Sequence, residues 1–459
     1  MNIRSNLRRQ RGAATLIVVM VLFFIISLVA AYTSRNMIFE QRTSANQYRS
    51  TQALEAAEAG LEWALTQLNY GRISDTCIPS TNIADTTFRQ RYLNINPNTG
   101  KILARTITPA PTLPASAELT PQCVLDPSAS TPAWNCSCPV NGAPVLTAPS
   151  GAAVAPAFRV RFVRIDPLSS LPPAQPNVVR AEVVGCTRLD NVCLNFAGQG
   201  QTNEGRVVLS SLIALTGNVA STPLAALTAR GPVVLSGGAL SVYNGAAGSL
   251  GLTVQSGGAI DPGIVVQTTA GTPASTSLVP GDPALNLLTA LPYSVSDRMF
   301  ATVFSMFPES FRQQQGGVQK TCGTGCSTGL VGTPGDVRNL IALNPGRPLW
   351  LTGNLNVDTP GDIGSAAEPV LLVVNGDVQF TSAGAGATIY GLVYVRKVVS
   401  PLDWATGGSG QFSGAVVSEN GVSVGAGTLG INYSGDTLNI LRGNTGTFVR
   451  VPSSWTDFQ

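Results

Sequence analysis

Histidine is absent from the 459 residues, which removes the usual general base, the commonest zinc ligand and every triad built on imidazole. Charge is scarce as well. Asp, Glu, Lys and Arg make up only 12% of the chain, and 48 glycines and 31 prolines accompany them, so a β-rich or loop-rich body is expected rather than a helical bundle. Acid is missing from the first dozen residues, where Arg4, Arg8, Arg9 and Arg11 lie. Taking away Met1 to Gly12 with these four arginines turns the formal charge of +3 into −1, so no bulk positive field draws the body to nucleic acid, and none is expected as a partner. Catalysts that need no histidine are not evident: no SxxK pair, GxSxG elbow, phosphate loop ending in GK[ST] or strand-closing GxGxxG stands in a fitting context. The Gly384-Ala385-Gly386-Ala387 run and the Gly407-Gly408 pair lack a following Lys or a helical pattern and read as turns between strands. The composition predicts no enzyme, no cofactor and no metal, in a chain long enough for two or three cores.

What the chain does have is an ordered N-terminus. A basic leader, Met1 to Arg11, ends in Arg11-Gly12, and an uncharged apolar run from Ala13 to Tyr32 follows at the length of one membrane span. A polar helical pattern then continues without proline to about Asn69. Ala53, Leu54, Ala57, Leu61, Ala64, Leu65 and Leu68 recur at helical spacing, while Glu55, Glu58 and Glu62 line another face. One rod of about 84 Å is predicted from Ala13 to Asn69, at about 1.5 Å per residue. Positive charge ahead of the span keeps the leader cytoplasmic and sends the rest across the membrane. A secretory signal peptide is a competing reading, with Ala30-Ala31-Tyr32 as a weak cleavage site. A plain single-pass anchor is another, but it leaves unexplained the amphipathic helix that grows straight out of the span.

These residues resemble a family. Arg9-Gln10-Arg11-Gly12-Ala13-Ala14-Thr15-Leu16-Ile17-Val18-Val19 resembles a prepilin processing site, and Ala53-Leu54-Glu55-Ala56-Ala57-Glu58-Ala59-Gly60-Leu61-Glu62-Trp63-Ala64 is similar to the A-x-x-A-A-E-A-G-x-E-x-A signature of PilX-type minor pilins. The resemblance implies cleavage by prepilin peptidase between Gly12 and Ala13, methylation of the new amino terminus, residence in the bacterial inner membrane with a periplasmic body, and assembly with other minor pilins and pilin subunits. Most type IV pilins carry Glu at the fifth mature position, and here that position is Ile17. A subunit without this carboxylate suits a filament tip, as the resemblance to PilX-like and GspK-like proteins also implies, and a PilY-family adhesin is the partner implied there.

The fold class expected is α+β: the pilin helix packed on a small antiparallel sheet, followed by a β-rich domain of right-handed β-solenoid type, with a β-sandwich as the alternative. Four divisions are read: leader 1–12, helix 13–69, a loop-rich region with the sheet over 70–215, and the β-rich domain over 216–459. Sheet strands are expected at Ala157 to Ile165, Val178 to Cys186 and Gly205 to Leu215. Arg159, Arg161 and Arg164 are read as a solvated strand face, with phosphate or acidic-lipid binding as the sharper option. In the β-rich domain Ser236-Gly237-Gly238-Ala239 returns as Ser256-Gly257-Gly258-Ala259, and strands at Leu349 to Val357, Val370 to Phe380, Ile389 to Val395 and Phe412 to Val417 recur every 19 to 23 residues, the requirement of stacked coils. A helical insert near 284–314 is expected to begin at a Ser296 cap, to end at Pro308, and to cover an open end of the stack with Met299, Phe300, Val303, Phe304 and Phe307.

Eight cysteines, Cys77, Cys123, Cys136, Cys138, Cys186, Cys193, Cys322 and Cys326, form an even set that reads as disulfides in an oxidising compartment. Spacing joins Cys186 to Cys193 and Cys322 to Cys326 and leaves three pairings for the other four. Zinc is the weaker alternative because no CxxC spacing is present. Asp358, Asp362 and Glu368 are weighed as a Ca²⁺ loop and read as solvated turn residues. Three functions are carried forward: a pilus assembly subunit at the tip, supporting adhesion or motility; a type II secretion pseudopilin of the GspK kind; and a glycan- or DNA-binding module on a pilin anchor. A row of exposed aromatics on one solenoid face, with Tyr390, Tyr394 and Trp404 as candidates, favours the glycan, and a basic groove favours DNA.

Overall fold

The computed structural model describes residues 11–106, 118–128, 130–131, 133–150, 154–165, 175–196, 204–246, 250–286, 295–314, 316–323, 325–396 and 403–457, with side chains from residue 15 onward. Most of the expected leader lies outside them. With no proline to interrupt it, α1 runs unbroken from Arg11–Leu68, 58 residues or about 87 Å. Asn69 closes it by donating to the Leu65 carbonyl at 3.2 Å. Next comes α2 (Phe88–Tyr92), started by a capping box in which Thr87 and Gln90 satisfy each other's backbone N–H, and then the hairpin β1 (Leu93–Asn96) and β2 (Lys101–Ala104).

The head sheet is built from β3 (Gln122–Asp126), β4 (Ala133–Ser137), β5 (Ala157–Val163), β6 (Val178–Cys186) and β7 (Arg206–Gly217), all antiparallel in the order β7-β6-β5-β3-β4. Period-two alternation sends Phe158, Val160 and Phe162 of β5 to the face under α1, where they are buried with Val183, Leu209 and Leu61. The opposite face differs from expectation. Arg159 and Arg161 are half-buried: Arg159 Nη2 donates to Gln122 Oε1 at 2.6 Å, and Arg161 Nε donates to Glu182 Oε2 at 2.6 Å while its guanidinium lies 4.4 Å from the Phe196 ring centre. These two cations are engaged by the head's own groups and offer no open phosphate site.

The β-rich part begins with β8 (Leu227–Ala229), β9 (Val233–Leu235), β10 (Ala239–Asn244), β11 (Val254–Ser256), β12 (Val265–Thr268) and β13 (Leu278–Val279). The short helices α3 (Pro283–Asn286), α4 (Val295–Phe304) and α5 (Pro308–Gln313) follow. Beyond them come β14 (Val318–Thr321), β15 (Cys326–Ser327), α6 (Val337–Leu343), β16 (Leu349–Thr352), β17 (Leu355–Val357), β18 (Val370–Asn375) and β19 (Val378–Thr381). The run closes with β20 (Ala387–Val395), β21 (Ala405–Thr406), β22 (Ser409–Ser418), β23 (Val422–Val424) and β24 (Thr428–Tyr433). All of these pair in parallel, in a main ladder β12-β10-β24-β22-β20-β18-β16-β14 and side ladders β15-β17-β19-β21 and β23-β9. Paired residues are offset by 23, 21, 23 and 19 positions from β16 to β24. Then the order breaks: β24 pairs with β10, and β22 with β8, so the chain enters and leaves the stack at one level.

Finally α7 (Gly435–Asn444) leads to β25 (Gly446–Arg450), which is antiparallel to β7 and extends the head sheet. The large region is therefore β-rich and the whole chain α+β. The Ser236 and Ser256 repeats do not stack on one another. Ser256 sits in register with Ala229, one corner away from Ser236, which follows β9. The stack interior holds Leu355, Leu372, Phe380, Ile389, Trp404 and Phe412.

Helices α4 and α5 cover the outside of this ladder rather than an open end. Phe300, Phe304 and Phe311 pack with Trp350, Leu371 and Tyr394, and Leu438 and Leu441 of α7 join them. Ser296 lies inside the first turn of α4, not ahead of it, and Pro308 opens α5 at its first position instead of ending α4. Phe307 is exposed. Tyr394 and Trp404 are fully buried and belong to no surface row.

A buried polar group sits under α4. The Glu419 carboxylate accepts from Tyr394 Oη at 2.9 Å and from Arg396 Nε at 3.1 Å, and Arg396 reaches Asp297 of α4 at 2.9 Å. Burial raises Glu419 from 4.5 to about 7, against the pull of Arg396 and Tyr394. Because the folded state holds this proton more tightly than the unfolded chain, the stability it lends is complete below about pH 4.5 and is lost as pH rises through about 7. Between pH 4.5 and 8 the loss is expected to reach about 2–3 kcal/mol, and Glu419→Gln is expected to flatten it. Denaturant midpoints of both proteins at pH 5 and pH 8 check this; equal slopes would remove the role of Glu419.

Candidate functional site

The candidate site is α1 itself, whose two halves differ in everything but conformation. From Leu16 to Tyr32 every large apolar side chain is 53–71% exposed, over a span with a mean hydropathy of 2.8 in its best 18-residue window. Holding these groups in water would cost on the order of 30 kcal/mol at about 1.5–3 kcal/mol each. Lipid or neighbouring helices must take them. Ile17 stands among them, 61% exposed, and the first acid of α1 is Glu40. Thr33 satisfies its hydroxyl within the helix by donating to the Val29 carbonyl at 2.8 Å, so it stays compatible with an apolar setting.

The second half is a seam. Ala53, Ala56, Ala57, Leu61 and Ala64 are buried against β5, β6 and β7, whereas Glu55, Glu58 and Glu62 face outward. Gly60 lets the helix descend onto the sheet, since a Cβ there would stand 2.7 Å from Phe158 and Val183. The sheet answers with Gly185, whose Cβ would overlap the Ala53 carbonyl and lie 2.6 Å from the Ala57 nitrogen. Trp63 finishes the contact with ring centres 5.4 Å from Phe88 and 5.5 Å from Phe158. The signature read at residues 53–64 is thus the small-residue face that brings two backbones together.

Beyond the seam, the end of α1 is tied to the last strand of the head sheet, and the residues after it to the β-rich part. Asn69 donates to the Phe448 carbonyl at 2.8 Å and accepts from the Phe448 N–H at 2.7 Å. Arg89 is buried and donates to the carbonyls of Leu68, Asn444 and Gly446 at 3.0, 3.2 and 3.1 Å, with Gly346 at 3.4 Å. Burial first, and then the charge of Arg347, pull its pKa down to about 10. Arg72 donates to the Ala342 carbonyl at 2.5 Å and pairs with Glu368 at 3.4 Å. No motif marks Asn69, Arg72 or Arg89 in the sequence, because their partners are carbonyls that any residue supplies.

Four disulfides hold the loops: Cys77–Cys138, Cys123–Cys136, Cys186–Cys193 and Cys322–Cys326. The cysteines weighed as zinc ligands are all used in them. The acids weighed for Ca²⁺ go separate ways, as Asp358 accepts from Thr328 Oγ1 at 3.0 Å while Glu368 accepts from Gln90 at 2.7 Å. Burial pushes the Asp358 carboxyl up, but hydrogen bonds from Ser327 and Thr328 outweigh it and hold it below its usual range.

Comparison with known proteins places this geometry. No curated protein matches the chain in sequence. Among solved structures it is similar to the ice-binding protein of the Antarctic ascomycete Antarctomyces psychrotrophicus, at 10% identity and TM-score 0.20 over 48% of this chain and 100% of that one. It is also similar to the competence-associated pilin ComZ of Thermus thermophilus, at 10% identity and TM-score 0.20 over 89% and 97%. At such scores neither likeness bears on the function. Residues 11–62, the stretch that holds both the bare apolar half and most of the seam, match the PilX N-terminal family.

Proposed function

We propose that this protein is a minor subunit of a type IV pilus, made as a prepilin, held in the bacterial inner membrane by residues 13–32, and drawn into the filament at or near its tip. The observation that supports it is the division of α1: one half is buried on a sheet, and the other is bare, apolar and about as long as a bilayer is thick. A helix of that kind exchanges lipid for the helices of its neighbours without refolding. Prepilin peptidase cuts between Gly12 and Ala13, the new amino terminus is methylated, and the body folds in the periplasm, where its disulfides form. With Ile17 in place of an acid, nothing in the span neutralises the amino terminus of a subunit above it, which fits initiation at the tip. Adhesion or motility, through other minor pilins and a PilY-family adhesin, follows from that position.

The β-rich region supports a second element of the proposal. Parallel ladders with offsets of 19 to 23 residues support reading this region as a β-solenoid, separate from the head, which takes back residues 446–450. A GspK-kind pseudopilin is the alternative, but outside α1 the described helices run only 4 to 10 residues, too little for an α-rich insertion.

The N-terminus and mass of the protein, isolated from cells with and without prepilin peptidase, test the assignment. A chain starting at methylated Ala13 only when the peptidase is present is expected. An intact leader in both, or cleavage beyond Ala31, would overturn it. Gold labelling is expected at filament ends; label along the whole shaft would sink the tip position.

A further inference from the structure

One surface of the parallel stack is exposed to solvent and formed by strands that carry no charge. It is formed by β12, β10, β24, β22 and the first half of β20, and none of these five strands contains a single Asp, Glu, Lys or Arg. In-register pairing lines up their outward residues. One row runs Gln267, Tyr243, Asn432, Ser413, Tyr390, and the next Val265, Ser241, Gly430, Gln411, Thr388. Each is exposed or half-buried, while the alternating Val242, Leu429, Ile431, Phe412 and Ile389 are buried in the core. At about 4.8 Å between strands, a row spans about 19 Å and sets the two tyrosines about 14 Å apart.

The boundary of this surface is built into the backbone. Gly391 and Gly414, paired in register, take φ of +134° and +143°, a conformation that L side chains rarely adopt. Beyond them Leu392, Tyr394, Ala415 and Val417 turn under α4 and α7. Before them nothing among the described residues buries the rows. Tyr243 is 45% exposed and leans along its own strand over Gly245, where a Cβ would stand 2.8 Å from its Cζ.

We infer that this face binds a neutral polysaccharide. Nucleic acid and acidic lipid need lysines or arginines, and there are none. A protein partner would be met by an apolar core with aromatic and Arg anchors, whereas Val265 is the one large aliphatic side chain in the two rows. Amides, hydroxyls and two tyrosines remain, and these donate and accept hydrogen bonds with sugar hydroxyls while the rings cover the sugar's apolar face. The inference stands on the surface of the stack and does not depend on how the N-terminus is processed.

The test uses the full chain in detergent with particles of chitin, cellulose and cross-linked dextran, beside duplex DNA and anionic-lipid vesicles. Retention by at least one neutral polymer is expected, with Tyr243→Ala/Tyr390→Ala weakening it at least tenfold. Because a tyrosine loss can disturb folding, Ser413→Glu, which only places a charge at the centre of the face, is expected to weaken it similarly at an unchanged denaturation midpoint. Retention by none of the three polymers, retention that both variants leave intact, or binding confined to DNA or vesicles would each overturn the inference.

Discussion

Gly185→Val is expected to destabilise the head by about 4 kcal/mol or more, past the 1–3 kcal/mol of ordinary overpacking. The reason is the nature of the obstacle. A Cβ at this point of β6 meets the Ala53 carbonyl, the Ala57 nitrogen at 2.6 Å and the Ala57 Cβ at 2.9 Å, so what must move is helix backbone and not the end of a flexible side chain. Lifting α1 by the needed amount also separates Trp63 from Phe158 and opens the contacts of Leu61 and Ala64. Urea denaturation of the detergent-solubilised full chain, followed by Trp63 and Trp134 fluorescence near Phe158, reads the change. Gly185→Ala should fall between wild type and valine. A wild-type midpoint for the valine variant would show that the seam is looser than the structure has it.

Arg89→Met is expected to cost about 3–5 kcal/mol, because it strips several buried carbonyls of their donor at once. Methionine matches the stem but donates nothing to the carbonyls of Leu68, Asn444 and Gly446, and a buried carbonyl without a donor costs about 1–3 kcal/mol. These acceptors come from the end of α1, from α7 and from β25, so the loss falls on the join between head and stack. Two separate unfolding transitions are expected for the variant where wild type shows one. Arg89→Lys is expected to recover little, because an ammonium cannot span the acceptors that the planar guanidinium reaches. Unchanged cooperativity in Arg89→Met would mean that the two parts are held by Arg72 without it.

Local periodicity carried much of the fold. The spacing of Ala53, Ala57, Leu61 and Ala64 marked the buried face of α1, while alternation in Ala157–Val163 and the Val-rich run Val178–Cys186 marked strands at those residues. What local pattern does not contain is where a strand goes once it has formed. Ser236-Gly237-Gly238 and Ser256-Gly257-Gly258 look like one repeat but occupy different corners, since Gly-rich turns serve every corner equally. Pro308 fits the end of one helix as well as the start of the next, because a missing N–H is harmless at the first helical position. Tyr394 and Trp404 were candidates for a surface row, yet their partners Glu419, Phe300 and Phe412 are far off in sequence or hidden in register. The rows of Tyr243 and Tyr390 needed the β24 to β10 pairing, which joins residues almost 200 apart. Gly185 was readable in principle, since a glycine inside a strand often marks a close backbone approach.

The return of the chain to its own middle has a consequence for the order in which it folds. β10 waits for β24, β8 waits for β22, and β7 waits for β25, so the central level of the stack is not finished until β24 has been made, nor the head sheet until β25 has. Closing loops of this length is slow, and for that interval α1 is already made while its sheet lacks an edge. Truncation anywhere before β24 therefore does more than shorten the protein. It leaves both units incomplete at once, so a prematurely ended chain exposes unpaired strand edges in the head and in the stack together.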